Sequence, residues 1–234
     1  GKVTLNLPRA AYRSAREAGA SIENELDEIV DLAVKGLLER TSFISRLCSD
    51  EKGSLAGLRG LSGHGAEGIE QGWAGIVGVV GLNECVSYLS GSQLNESSEA
   101  MDKGLELIGR LAEKLRAEQG RLGLKLVLEE SRNGGELQRL QELDGRLYPE
   151  FVSGLVEARH LYTDGVRARE RDPLAAIEFD VPLLRNVVPR GGVVGDGLDL
   201  CELDQRQLSE FVAEALEFSS TQKMRRLERA EEPS

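Results

Sequence analysis

The residues best suited to hold an anion lie at 129–137, EESRNGGEL, where a strand pattern ends in a polar turn and a helix pattern begins. The first N–H groups of a helix have no partner inside it, and glycines let a ligand approach the backbone closely. Ser131, Arg132 and Asn133 add donors and Gly134 and Gly135 open the turn, so the segment reads either as a phosphate cradle or as a well-capped connection between strand and helix. Glu129, Glu130 and Glu136 work against the first reading, because they lower the local potential that an anion needs.

A second glycine pattern, GHGAEG, puts Gly63, Gly65 and Gly68 in G-x-G-x-x-G spacing. A dinucleotide site needs a strand before such a loop and a helix after it, and neither pattern is present, so the stretch reads as a linker. His64 sits in that linker and His160 in a strand-like segment, each without a second ligand at metal spacing, and both are expected to be exposed or core residues. Cys48, Cys85 and Cys201 lie far apart and never as C-x-x-C, which argues against a disulfide framework and against a cysteine-built zinc site. Reduced thiols are expected, with Cys85 as a small buried core residue and no metal site in the chain.

These residues must be positioned by the elements around them. Residues 2–7 (KVTLNL) alternate and stop at Pro8, which predicts a strand. From Ser21, placed as an N-cap, Ile22, Leu26, Ile29, Val30, Ala33, Val34, Leu37 and Leu38 recur at helical spacing and predict a long amphipathic helix reaching Leu47. Residues 49–72 read as an extended glycine-rich loop. The stretch 72–91 begins as a buried run, turns at Gly81 and becomes a short helix, and a second long helix is predicted from Ser97 to Gln119 with Gly120 as its stop. Residues 124–130 read as a strand, 134–148 as a helix entered through the glycine pair, and 158–163 as a weaker strand. An irregular segment with Pro173, Pro182 and Pro189 follows, then a strand after Gly191-Gly192, a helix over 204–218 and a charged, frayed tail at 221–234. Strands alternating with long helices predict an α/β fold with a largely parallel sheet, in one domain spanning 1–220.

With 29 Lys+Arg against 40 Asp+Glu the formal net charge is −11, so the chain repels phosphate backbones and anionic membranes, and bulk nucleic-acid binding is not expected. No apolar run approaches the roughly eighteen residues of a membrane span. No basic segment leading into an apolar one opens the chain, so a cytoplasmic protein is expected.

Several segments in order resemble the anaerobic, class III ribonucleoside-triphosphate reductases. VTLNLPRAAYRSA (3–15) resembles that family's VTINLPR strand, and GIVGVVGLNECVSYLSGSQLNESSEA (75–100) is similar to its GIVGLNE segment. LVLEESRNGGELQRLQELDGRLYPE (126–150) resembles the family's LEET-P-A-E loop and helix, with Ser131-Arg132-Asn133-Gly134 in place of Thr-Pro-Ala-Glu. LYTDGV (161–166) is similar to a YTNS motif with Thr163-Asp164-Gly165 in place of Thr-Asn-Ser, and 191–216 resembles the family's GGAIFHVWLGE strand and following helix.

The resemblance implies a portion of a ten-stranded α/β barrel, a half-barrel of largely parallel strands with outer helices. It also implies radical reduction of ribonucleoside triphosphates to deoxyribonucleotides. In that family a glycyl radical generates a cysteine thiyl radical that abstracts a ribose hydrogen, and many members draw electrons from formate. The thiyl cysteine is expected before Gly1, and the zinc cysteines and glycyl-radical motif after Ser234, so this chain carries neither cofactor and is expected to be a fragment or split subunit, inactive alone. By the same resemblance Asn6 lies beside the ribose, where an amide can hydrogen-bond a sugar hydroxyl. The expected partners are a ribonucleoside triphosphate and a complementary reductase segment. A non-catalytic remnant that binds a nucleotide or a protein is the alternative, and an unrelated α/β domain a third reading.

Overall fold

The computed structural model describes residues 1–17, 19–49, 74–131, 134–157, 161–167 and 183. Most of the glycine-rich loop with its GHGAEG motif and His64, and likewise His160, Arg132, Asn133 and Cys201, lie outside the described residues. So do the segment with Pro173, Pro182 and Pro189, the strand expected after Gly191-Gly192, the 204–218 helix and the 221–234 tail.

Strands β1 (Lys2–Asn6), β2 (Ala74–Val80) and β3 (Lys125–Glu130) form one parallel sheet in the order β1-β2-β3. The register pairs Val3 with Val77 and Leu5 with Val79, and then Val77 with Leu128. Alternation along each strand therefore turns Val3, Leu5, Val77, Val79, Leu126 and Leu128 to a common face. That face packs into the main core together with Leu26, Val30, Val34 and Leu37 of helix α2 (Ile22–Ser49). Leu107, Ile108, Leu111 and Leu115 of α4 (Ser98–Leu122) complete the layer. The two long helices need this shared surface, because a lone apolar stripe is not stable in water. Glu23, Asp27 and Asp31 of α2 pair in order with Lys103, Arg110 and Lys114 of α4, so the two helices run parallel, as two successive β-to-β crossovers require.

Most expected boundaries hold, and the departures have local causes. Ser21 caps α2 by accepting the Asn24 N–H at 3.2 Å. Helix α4 runs past Gly120 to Leu122, because the left-handed conformation that ends a helix falls to Gly123 (φ +66°). The first strand stops at Asn6 rather than at residue 7, and a helix absent from the sequence reading, α1 (Leu7–Arg16), starts at once. Asn6 is its N-cap, Pro8 occupies the first turn, where its missing N–H costs nothing, and Arg13 and Arg16 sit in the last turn. Helix α3 (Leu82–Ser90) follows Gly81, and α5 (Gly134–Leu147) is succeeded by a short unanticipated helix, α6 (Pro149–Glu157). Of the weak strand expected at 158–163, residues 161–163 are irregular.

The opposite face of the sheet mixes polar and apolar residues: Lys2, Thr4 and Asn6 on β1, Ile76, Gly78 and Val80 on β2, and Val127 and Glu129 on β3. Side chains of β1 reach β3 across the middle strand: Lys2 Nζ meets Glu129 Oε1 at 2.8 Å and Thr4 Oγ1 meets Ser131 Oγ at 3.0 Å. They do so over Gly78, whose absent Cβ would stand 2.9 Å from Lys2 Cε and 3.3 Å from Thr4 Oγ1 and would overlap Ser131 Oγ. Gly78→Ala should therefore lower stability by about 1–3 kcal/mol through overpacking. Gly109→Ala on α4, with no atom within 4 Å of the new methyl, should raise stability by up to about 1 kcal/mol through helix propensity. Urea midpoints followed by circular dichroism decide both.

Candidate functional site

The carboxyl ends of parallel strands are where α/β sheets hold ligands, and here the polar face of the sheet ends in a buried hydrogen-bond network. Its centre is Asp144, on α5 and 0% exposed. Asn6 Nδ2 donates to Asp144 Oδ2 at 2.7 Å, Arg9 Nε to Oδ1 at 2.5 Å, and the Tyr162 hydroxyl to Oδ2 at 2.9 Å. Tyr162 is hydrogen-bonded to Tyr12 as well, and its backbone N–H is held by Gln141 Oε1 at 3.1 Å. One carboxylate thus joins the end of β1, the first turn of α1, the last turn of α5 and the segment 161–163.

A second buried carboxylate, Glu84 at the start of α3, accepts the backbone N–H and the hydroxyl of Thr163 at 2.9 and 2.8 Å. Gly81 N–H donates in turn to Thr163 O, and Leu82 N–H to Gly165 O. Arg167 Nε closes the other side on Glu130 Oε1 at 2.9 Å. The segment Thr163-Asp164-Gly165 is therefore docked on the end of β2 and the opening of α3.

Of the sequence-derived candidates, Asn6 and Ser131 fall on this same face and Gly134 and Gly135 beside it, while Asn133 lies outside the described residues. Asn6 has both ends of its amide in use, since Oδ1 accepts the Arg9 N–H at 3.2 Å as the cap of α1 while Nδ2 binds Asp144. Ser131 is buried, its N–H donating to Val79 O and its hydroxyl facing Thr4, so it extends the sheet. Gly134 and Gly135 open α5, and Glu136 in its first turn accepts from Thr4 Oγ1 at 3.3 Å. Asn6, Ser131 and the start of α5 are thus brought together through Thr4 and through the two acidic groups of α5. Among the described residues no three His, Cys, Asp or Glu side chains gather as a metal site, and no helix is long and apolar enough to cross a membrane.

Arg9, Glu84 and Asp144 were missed from sequence. A signal existed for Asp144: Leu137, Leu140, Gln141 and Asp144 follow the spacing of one buried helical stripe, all four are buried, and a carboxylate on such a stripe demands partners.

The geometry defines an α/β protein with a polar hydrogen-bonded corner at the carboxyl end of a parallel sheet. The family model for anaerobic ribonucleoside-triphosphate reductase matches residues 1–194, and the chain belongs to that family. Among solved structures, the anaerobic ribonucleotide reductase from Thermotoga maritima with glycerol in the active site is similar, with a TM-score of 0.63 and 18% identity over 80% of this chain. The same organism's enzyme with dATP bound in the specificity site gives a TM-score of 0.61 and 16% identity. This likeness is one of fold, and the chain spans 30% and 31% of the length of those two structures. No curated protein matches.

Burial pushes the Cys85 thiol up to about 12, with help from the adjacent Glu84 carboxylate. It raises the phenols of Tyr162 and Tyr12 as well, Tyr162 further through Tyr12 and Asp144. In the unfolded chain these groups ionise near their ordinary 9.0 and 10.0, while in the fold they keep their protons. The unfolded state then binds fewer protons, so stability is full below about pH 9 and falls as pH rises beyond it. Urea midpoints from about pH 8 to about pH 10 should decline. Tyr162→Phe should flatten that decline while lowering the starting value, because it removes a titrating group and a hydrogen bond at once.

Proposed function

We propose that this chain works as part of an anaerobic ribonucleotide reductase, contributing strands and helices to a ten-stranded α/β barrel completed by a complementary segment, in the cytoplasm. The observation that carries this reading is the family match over residues 1–194, supported by a parallel sheet with one helix-covered apolar face and a row of polar groups on the other. In this reading the ligand is a ribonucleoside triphosphate, Asn6 lies at its sugar end, and the turn from Ser131 through Asn133 to Gly134 and Gly135 lies at its phosphate end. The Thermotoga maritima enzyme holds glycerol in its active site and dATP in its specificity site, so hydroxyl-rich and nucleotide ligands both suit the fold.

The thiyl cysteine, the glycyl radical and the zinc cysteines belong to the complementary part. Cys48 and Cys85 are buried side chains on helices, not residues of the strands. The 234-residue chain alone should form no deoxynucleotide under anoxia, because residues that act as one radical unit are grossly non-additive.

Calorimetric titration with a ribonucleoside triphosphate tests the site. Gly134→Asp adds a negative charge where the phosphates would lie and should weaken binding at least tenfold, while an acidic group there favours the helix itself, so loss of fold is not the cause. Gly63→Asp should leave affinity unchanged, and Glu136→Gln should tighten it several-fold by removing a competing carboxylate. Equal affinities across the set would leave the turn as an ordinary helix cap.

A further inference from the structure

We propose that Asp144 is a positioning residue that locks the amide of Asn6 in one orientation, so that its unused donor and acceptor are held ready for a ribose. The sugar half of this rests on the reading of the preceding section. A carboxylate only accepts and a backbone N–H only donates, so Nδ2 must face Asp144 and Oδ1 must face Arg9 N, and the amide cannot be flipped. An asparagine amide has two N–H groups and two carbonyl lone pairs, and the two bonds described use one of each. The cap alone does not explain the arrangement, since Ser, Thr or Asp would cap α1 through an oxygen just as well. The Nδ2 bond does a separate thing: it fixes the rotation of the amide plane.

Asp144 is built to resist movement, because two further donors, Arg9 Nε and the Tyr162 hydroxyl, hold its two oxygens in place. Arg9 supplies an independent sign that the corner is unfinished. Among the described residues its Nη2 is buried and has no hydrogen-bond partner, an arrangement costly enough that a native protein seldom leaves it without an acceptor. The groups left over at this corner are mainly donors beside a hydrogen-bonded amide, which suits the oxygens of a sugar.

The test uses the full chain with ¹⁵N-labelled asparagine. In the parent, the Asn6 side-chain amide should show one proton shifted downfield and slowed in exchange. In Asp144→Asn that proton should return toward the position of a free amide. Titration with a ribonucleoside triphosphate should weaken up to roughly tenfold in this variant, the factor that corresponds to one net hydrogen bond, while affinity for inorganic triphosphate stays as in the parent. Should Asp144→Asn lose its helical signal, the reciprocal pair Asn6→Asp with Asp144→Asn keeps one amide opposite one carboxylate, and the amide introduced at position 144 should carry the downfield proton. Asn6 resonances unmoved by Asp144→Asn, or equal losses for nucleotide and inorganic triphosphate, would overturn the positioning role. A parent chain that binds no nucleotide would instead defeat the reading of the preceding section and the sugar half of this one, and the amide spectrum would still decide whether Asp144 holds Asn6.

Discussion

The polar face of this protein depends on a side chain that is missing. Strands β1 and β3 are separated by β2, and residues two strands apart do not ordinarily touch. Gly78 leaves a hollow on the middle strand, and Lys2 and Thr4 cross it to reach Glu129 and Ser131. The crossing aligns a row of polar groups along the sheet, from the exposed Lys2 pair to the buried Asn6 corner. Any β-carbon at position 78 would force that row apart.

Once the row exists, helix α5 can finish it. Glu136 in its first turn meets Thr4, and Asp144, two turns further on, meets Asn6. The same helix thus tracks β1 side chain by side chain, although β3 rather than β1 leads into it. The two carboxylates differ in kind. Glu136 accepts a single described hydroxyl hydrogen bond, at 3.3 Å, whereas Asp144 is enclosed by Asn6, Arg9 and Tyr162, and an enclosed carboxylate that loses one partner is left with a strongly unfavourable charge. The rigid part of the corner is therefore around Asn6 and the adaptable part at the opening of α5.

Much of the scaffold was legible in the sequence because periodicity reports burial. The stripes of α2 and α4 and the run of β2 are wholly repetitive, and they fell where expected. Helix α1 was hidden because Asn6-Leu7-Pro8 ends a strand and starts a helix in the same three residues, and a proline reads more readily as a stop than as a first turn. The end of α4 was misplaced by three residues because Gly120 and Gly123 are both plausible caps, and only the backbone turn distinguishes them. The site was less legible for a different reason. Asn6 was singled out through resemblance, but its partner is 138 residues away in sequence, and no local pattern pairs an amide with a carboxylate at that distance. The pairing of Glu84 with Thr163, 79 residues away, escaped in the same way.

The parallel pairing of α2 and α4 sorts its charges strictly, with acids on the first helix and bases on the second. Each pair is at least partly solvent-exposed and adds little to stability. Their effect is on alignment. The acids recur every four residues, at 23, 27 and 31, while the bases fall at 103, 110 and 114. Sliding one helix by a turn leaves two opposite-charge pairs in place of three, and in one direction sets Lys35 of α2 against Lys114, so a slip that the apolar stripe alone would tolerate is disfavoured. The ladder thereby biases the height of α4, and hence of the strand it delivers, relative to the sheet.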